Sequence, residues 1–308
     1  MKPLIAVVGP TAVGKSKLAL HLAQRFHADI VSADSRQVYR YMDIGTAKPS
    51  LAERTLIPHH LIDIVDPDEP FSLAMFQDLA HRAIDDIQQQ NRLPFLVGGS
   101  GLYVWSVLEG WDIPHVPPDA ELRQNLEQKA ATNGNYALYQ ELQKADPVAA
   151  AKVMPGNVRR IIRALEIYLT TGKQASQLWQ KHGLDLPFLI IGLTTTRDDL
   201  YHRIDSRVDE MIKQGFVDEV KGLMAKGYSL GLPSISSIGY RQIGMFLQGN
   251  QDLGSAVQQI KHGTHRIARH QYAWFRLSDE RIRWLDVGRN VEEETDKMVE
   301  TFLGQFSS

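Results

Sequence analysis

A chain of 308 residues, 43% hydrophobic and 23% charged, has the make-up of a soluble globular enzyme and enough length for one large core or two smaller ones. The absence of cysteine excludes disulfides and thiolate metal sites, and a formal net charge of −2 excludes a generally basic nucleic-acid coat while leaving room for local basic clusters. The first apolar run spans only about five residues before Gly9, too short for a signal peptide or membrane span, so a cytoplasmic location is expected.

The run Leu4–Val8 predicts a first strand. Directly behind it come Gly9, Pro10, Thr11, Ala12, Val13, Gly14, Lys15 and Ser16, and then a helical-looking stretch over residues 17–25. Strand, glycine loop and helix in that order form the context of a phosphate-binding P-loop. The glycines let several backbone N–H groups converge on one anion, and the helix N-terminus adds partial positive charge. Lys15 reaches the terminal phosphates, and the Ser16 hydroxyl is placed to ligand Mg²⁺. A P-loop fixes a diphosphate and says little about the chemistry beyond it.

Further strands are predicted near residues 30–33, 61–65, 95–97, 189–193 and 282–287. Helical stretches alternate with them through the first half, the pattern of a parallel sheet covered by helices. Asp34, Ser35, Arg36 and Gln37 follow the second strand, where open α/β sheets place their ligands. On position alone, Asp34 could equally cap the next helix. Gly98, Gly99, Ser100 and Gly101 follow the fourth. No Asn-Lys-x-Asp guanine-reading motif appears, and no clear second carboxylate completes a nucleotide-hydrolysis site.

Between residues 116 and 186 the alternation stops. Helices are expected over 119–132, 136–144, 148–152, 158–170 and 174–182, punctuated by Pro117 and Pro118. The economical architecture is a P-loop NTPase-like parallel sheet core from residues 1–115 and 186–308, with a helical insertion over 116–185. Taken alone, Arg159, Arg160 and Arg163 on one side of a helix read as a solvated face. Residues 261–283 collect Lys261, Arg266, Arg269, Arg276, Arg281 and Arg283 with three histidines. Ile260, Ile267 and Trp274 recur there at heptad spacing, on what should be the buried side of a long basic helix. An acidic amphipathic helix is expected from Val291.

Together these segments resemble the tRNA dimethylallyltransferases (tRNA isopentenyltransferases) of the bacterial type, and the resemblance runs essentially end to end. It is carried by the P-loop, Asp34-Ser-Arg-Gln-Val-Tyr39, Met42-Asp-Ile-Gly-Thr-Ala-Lys-Pro49 and His59-His-Leu-Ile-Asp-Ile64. It continues with Gly98-Gly-Ser-Gly-Leu-Tyr103, Arg163-Ala-Leu-Glu166, Ile238-Gly-Tyr-Arg-Gln242 and the Trp274-Phe275 helix.

The resemblance implies transfer of a dimethylallyl group from dimethylallyl diphosphate to N6 of the adenine immediately 3′ of the anticodon in tRNA, with Mg²⁺ as cofactor. It places Thr11 and Arg207 by the diphosphate and makes Asp34 the base that takes the amine proton. It implies tRNA contact, at the anticodon stem-loop, for Asp34, Ser35, Arg36 and Gln37, for Ser100 and Arg123, and for Arg159, Arg160, Ile161, Ile162 and Arg163. Ser237, Ile238, Gly239, Tyr240, Arg241 and Gln242 complete that set. A monomer without a membrane partner is expected.

Ser16 and Ser100 stand where the family often has threonine, keeping the hydroxyl. His265 and His270 stand where it usually has arginine, and Arg269 where it has lysine, so tRNA affinity is expected to be more sensitive to pH. A small-molecule P-loop kinase, a free-nucleotide isopentenyltransferase and a non-catalytic RNA-binding module remain alternatives.

Overall fold

The structure, a computed structural model, describes residues 3–178, 180–183, 186–288 and 290–306. In chain order the first part runs β1 (Leu4–Val8), α1 (Lys15–Arg25), β2 (Ala28–Ser32), α2 (Leu51–Leu56), β3 (His59–His60), α3 (Leu73–Gln89), β4 (Leu93–Gly98) and α4 (Gly101–Leu108). There follow β5 (Trp111–Asp112), α5 (Ala120–Asn133), α6 (Asn135–Ala145), α7 (Pro147–Ala150), α8 (Val158–Thr171), α9 (Ala175–Leu178) and β6 (Gln180–Lys181). The last part is β7 (Phe188–Thr194), α10 (Arg197–Lys213), α11 (Phe216–Ala225), α12 (Tyr240–Leu247), α13 (Leu253–Trp274), β8 (Ile282–Asp286) and α14 (Val291–Gly304). Among the described residues no helix is long and apolar enough to cross a membrane.

The chain divides into two compact units, Met1–Leu108 with Leu184–Ser308, and Glu109–Gly183. In the first, six strands form one parallel sheet in the order β3-β2-β4-β1-β7-β8. The strands β1, β2 and β4 are buried along their whole length, which is why β1 reads as a continuous apolar run rather than an alternating one, while β2 also buries Asp29, held by Arg92 and His60. Because β4 lies between β1 and β2, the loops leaving these three strands emerge side by side at one edge of the sheet. That edge is where sequence position alone had put the P-loop, Asp34 and the Gly98–Gly101 turn. One apolar core joins α1 and α14 to the sheet through residues such as Leu18, Leu22, Phe95 and Val299. A second lies under α10–α13, built on Val208, Phe216, Tyr240, Ile243 and Ile260.

The strand expected over residues 61–65 is replaced by the two-residue β3 at His59–His60. Leu61 and Asp63 adopt φ of 63° and 57°, a left-handed backbone that extended chain does not tolerate. Asp63 is fixed there by Lys48 Nζ and Arg54 Nη1, both at 2.6 Å. Val65 makes an isolated parallel bridge to Tyr39, outside the six strands of the sheet.

The second unit is a helical array closed on its own core of Leu126, Leu138, Leu142, Ile161, Ile162 and Leu165. It takes in residues ahead of 116 because β5 pairs antiparallel with β6. That pairing also corrects the helix expected over 174–182: α9 stops at Leu178, and Gln180–Lys181 is extended. Trp179, within that expected helix, and Leu184 and Asp185, at the expected end of the insertion, lie outside the described residues.

The heptad seam expected on α13 is also corrected. Its buried positions are Ala256, Ile260 and Ala268, whereas Ile267 and Trp274 are 39% and 38% exposed. Contacts repeat at spacings of four and eight, as a straight helix packed across its neighbours requires. The basic helix ends at Trp274, and Arg283 belongs to β8.

Candidate active site

Backbone stereochemistry builds the P-loop. Gly9 has φ 140°, and a Cβ there would lie 2.5 Å from the Leu193 carbonyl oxygen on β7. Gly14, with φ 109° and open space around it, needs glycine for conformation alone. Ala12 also takes a positive φ, 64°. These turns curl residues 9–14 over the end of β1 and deliver Lys15 and Ser16 as the first residues of α1. Val13 is wholly buried and pins the loop to the sheet core.

Lys15 Nζ donates to the Pro10 carbonyl at 2.7 Å. Enclosure of the ammonium, with repulsion from the Arg207 guanidinium and against the pull of Asp34, brings its pKa down to about 7. Burial likewise lowers Arg207 below the ordinary arginine value, with Asp34 opposing. The site therefore holds two cations that are poorly solvated and mutually repelling, an arrangement suited to an anion.

Asp34 follows β2, and its Oδ1 accepts the Arg36 N–H at 2.8 Å. This turn resolves the ambiguity of Asp34: it closes its own loop rather than capping a helix, since α2 begins only at Leu51 with Ser50 as its cap. Ser100 Oγ accepts the Ser35 N–H at 3.2 Å, tying the Asp34 loop to the turn after β4. A Cβ on Gly98 would stand 2.1 Å from the Ala33 carbonyl oxygen, so only glycine allows the two loops to approach this closely.

Two cavities meet at these residues. The first runs along the P-loop past Lys15 and Ser16 to an apolar wall of Ala19, Ile30 and Val97. The second, about 460 Å³, is walled by Ser35, Ser100, Phe216, Ser237, Tyr240 and Ile267. Thr11, Asp34, Thr46, Arg207 and Gln271 line both. A carboxylate, a guanidinium and three neutral polar side chains thus stand where a group in one cavity would face a group in the other.

The other sequence-predicted positions separate into distinct environments. Arg36 lines the second cavity and sends Nη1 to the Pro233 carbonyl. Gln37 lines the first, holding Ser32 Oγ and the carbonyls of Thr46 and Ala47. Ser237, Ile238, Gly239 and Tyr240 wall the second cavity, with Ser237 Oγ donating to the Ser234 carbonyl. Gln242 accepts the Gly239 N–H, and Arg241 is exposed.

In the helical unit Arg159 and Arg160 are exposed on α8, whereas Ile161 and Ile162 face its core and are buried. Arg163 and Arg123 both bond Glu166, a fully buried carboxylate that also accepts the Asp119 N–H. On α13, Lys261 pairs with Asp209, His265 with Asp205, and Arg269 bonds the Tyr201 hydroxyl. That basic face is therefore partly neutralised by α10.

Sequence reasoning missed three groups. Gln271 takes the Thr11 N–H on Oε1 (2.7 Å) and donates to the Gly99 carbonyl (3.0 Å), stapling the P-loop to the β4 turn. Lys48, 1% exposed, is held by Asp43, Asp63 and the Tyr39 carbonyl. Glu219 binds residues 43–45 across the chain. Gln271 and Glu219 act over long sequence separations, which local pattern does not reveal, whereas the partners of Lys48 are close in sequence.

The sequence matches the IPP transferase family model over residues 37–278 and the Isopentenyl transferase model over residues 2–57. The tRNA dimethylallyltransferase of Roseiflexus castenholzii is 54% identical over 278 residues, covering 90% of this chain and 90% of the relative. That of Thermomicrobium roseum is 51% identical over 286 residues, covering 93% and 87%. The full-length tRNA isopentenylpyrophosphate transferase of Bacillus halodurans superposes with a TM-score of 0.72 at 42% identity, over 99% of this chain and 96% of that one. A eukaryotic dimethylallyltransferase seen crystallographically acting on tRNA superposes with a TM-score of 0.83 at 28% identity, over 99% and 80%. A family model spanning most of the chain, and relatives sharing about half its residues over nearly all its length, agree with the two-cavity site: this chain belongs to the IPP transferase family.

Proposed function

We propose that this chain transfers a dimethylallyl group from dimethylallyl diphosphate to N6 of the adenine immediately 3′ of the anticodon in tRNA. The observation that carries the reading is the meeting of the two cavities at Asp34 and Arg207. The P-loop cavity takes the prenyl diphosphate, and the second takes an adenine that has left its stack. The N6 lone pair forms the new C–N bond at the allylic carbon as the C–O bond to diphosphate breaks. Asp34 takes the N6 proton, and Lys15 and Arg207 hold the departing diphosphate. An exocyclic adenine amine is a weak nucleophile because its lone pair is delocalised, so an adjacent carboxylate acceptor matters.

Among the described residues no group of three metal-binding side chains exists, so the protein offers chiefly the Ser16 hydroxyl. That donor set fits magnesium, which is commonly held by one or two protein oxygens and substrate phosphates. Bound there, the ion would offset negative charge gathering on the leaving diphosphate.

Arg159 and Arg160, with Arg123 and Arg163 anchored on the buried Glu166, supply the tRNA backbone contacts in this reading, and Arg36, Ser100, Ser237 and Arg241 flank the flipped base. The chain acts as a monomer. Incubation with unmodified tRNA and radiolabelled dimethylallyl diphosphate, beside ATP with small alcohols, is the deciding assay. Label in tRNA is the expected result; label in free nucleotide only, or phosphoryl transfer from ATP, would overturn it.

A further inference from the structure

In the segment Asp43–Ala47, Gly45 lines the second cavity, Ala47 the first and Thr46 both. The segment is not part of a helix or strand, so its position depends on what holds it. Glu219, in the first turn of α11, reaches back across the chain to do so. Its Oε2 accepts the N–H groups of Asp43 (2.9 Å) and Ile44 (2.6 Å), and its Oε1 accepts that of Gly45 (3.1 Å). The same Oε1 accepts the Tyr240 hydroxyl at 2.7 Å. Three successive N–H groups converging on one carboxylate form an anion nest. Here the anion is a side chain that also fixes one wall of the second cavity through Tyr240.

The fit around the nest is tight. A Cβ on Gly45 would stand 2.3 Å from the Phe216 ring and 2.7 Å from the Tyr240 ring. The Gln37 amide holds the carbonyls of Thr46 and Ala47 from the other side. The segment is therefore clamped between an acceptor that takes all its early N–H groups and a donor that takes two of its carbonyls. We infer that Glu219 is a positioning residue for transfer: by holding residues 43–45 and Tyr240 together, it sets the alignment of the two cavities at Asp34 and Arg207.

Its effect on turnover rests on the transfer reaction proposed above; its hold on the segment does not. The test combines backbone hydrogen exchange of residues 43–47 with steady-state kinetics of the full-length chain. In Glu219→Gln an amide NH₂ replaces one acceptor oxygen. Exchange at 43–45 is expected to quicken at least about tenfold. With both substrates saturating, kcat is expected to fall at least about tenfold while each KM stays within about threefold.

Unchanged exchange, faster exchange with wild-type kcat, or a loss carried wholly by KM would overturn the inference. If Glu219→Gln fails to fold, Gly45→Ala displaces the segment while leaving the carboxylate intact. It is expected to show the same paired signature, and wild-type exchange and kcat in it would equally overturn the proposal. If the wild-type chain transfers no prenyl group to tRNA, the functional reading fails, while the exchange comparison still decides whether Glu219 holds the segment.

Discussion

Glu166 grips Arg123 with both carboxylate oxygens, at 2.7 Å each, from a position with no exposed side-chain surface. Arg163 adds a third charged bond at 2.5 Å. These contacts hold the Glu166 carboxyl below its ordinary value against the cost of burial. Four arginines that look equivalent in the sequence are thus of two kinds: Arg123 and Arg163 are partly spent on a buried carboxylate, and Arg159 and Arg160 are exposed.

The Arg159→Ala/Arg160→Ala double variant is expected to flatten the salt dependence of tRNA binding by up to about two counterions. Each change should move stability by no more than about 0.5 kcal/mol. Arg123→Ala should instead lower the unfolding free energy by about 1–3 kcal/mol, because it strips a buried acceptor of its partner. Filter binding from low to moderate salt and denaturant unfolding measure the two quantities. Equal behaviour of the two variants would refute the division.

Asp34→Ala is expected to retain the fold and diphosphate binding while prenyl transfer slows by about 10²–10⁴, the range for a lost general base. Single-turnover transfer to tRNA is the measurement. A wild-type rate would remove Asp34 from the chemistry.

Lys15→Ala and Ser16→Ala should impair use of dimethylallyl diphosphate far more than binding of tRNA, because both groups belong to the P-loop cavity. Transfer kinetics and tRNA filter binding run in parallel separate the two effects. An equal collapse of both, with the fold intact, would place these side chains outside the donor site.

The low pKa of Lys15 carries a signed consequence for stability. In the folded chain it titrates near 7, against an ordinary 10.5. Between those values the unfolded chain holds a proton that the folded chain lacks, so this group's contribution improves as pH rises across the window. Below about pH 7 the folded chain bears the whole cost of an enclosed charge. Lys15→Met should therefore be more stable than wild type at pH 6, with the gap narrowing toward pH 9 in thermal unfolding. A gap that ignores pH would contradict the assigned cause.

What was legible in the sequence was local. Leu4–Val8 was a strand because full burial demands a continuous apolar run, and the P-loop declared itself because Gly9 and Gly14 meet a backbone demand few residues can. The strand expected over 61–65 failed because Lys48 and Arg54 hold Asp63 in a left-handed turn, an ion contact that hydropathy does not register. Trp274 proved half-exposed because its helix packs through small residues such as Ala256 and Ala268, and alanine gives a weak periodic signal. Glu219 and Gln271 were invisible as site residues, since each acts on backbone more than 170 positions away.

The neck of the helical unit has a consequence for how such a chain can change. Gly183 N–H donates to the Glu109 carbonyl and His182 N–H to the Gly110 carbonyl, both at 3.1 Å, beside the β5–β6 pair. The unit thus begins and ends at one spot, with its own core in between. A segment joined at a single point behaves as a cassette: helices can lengthen, shorten or be exchanged, provided the two ends still meet. Lineages, or a protein engineer, can revise the helices of this cassette while the six strands of the sheet keep their pairing.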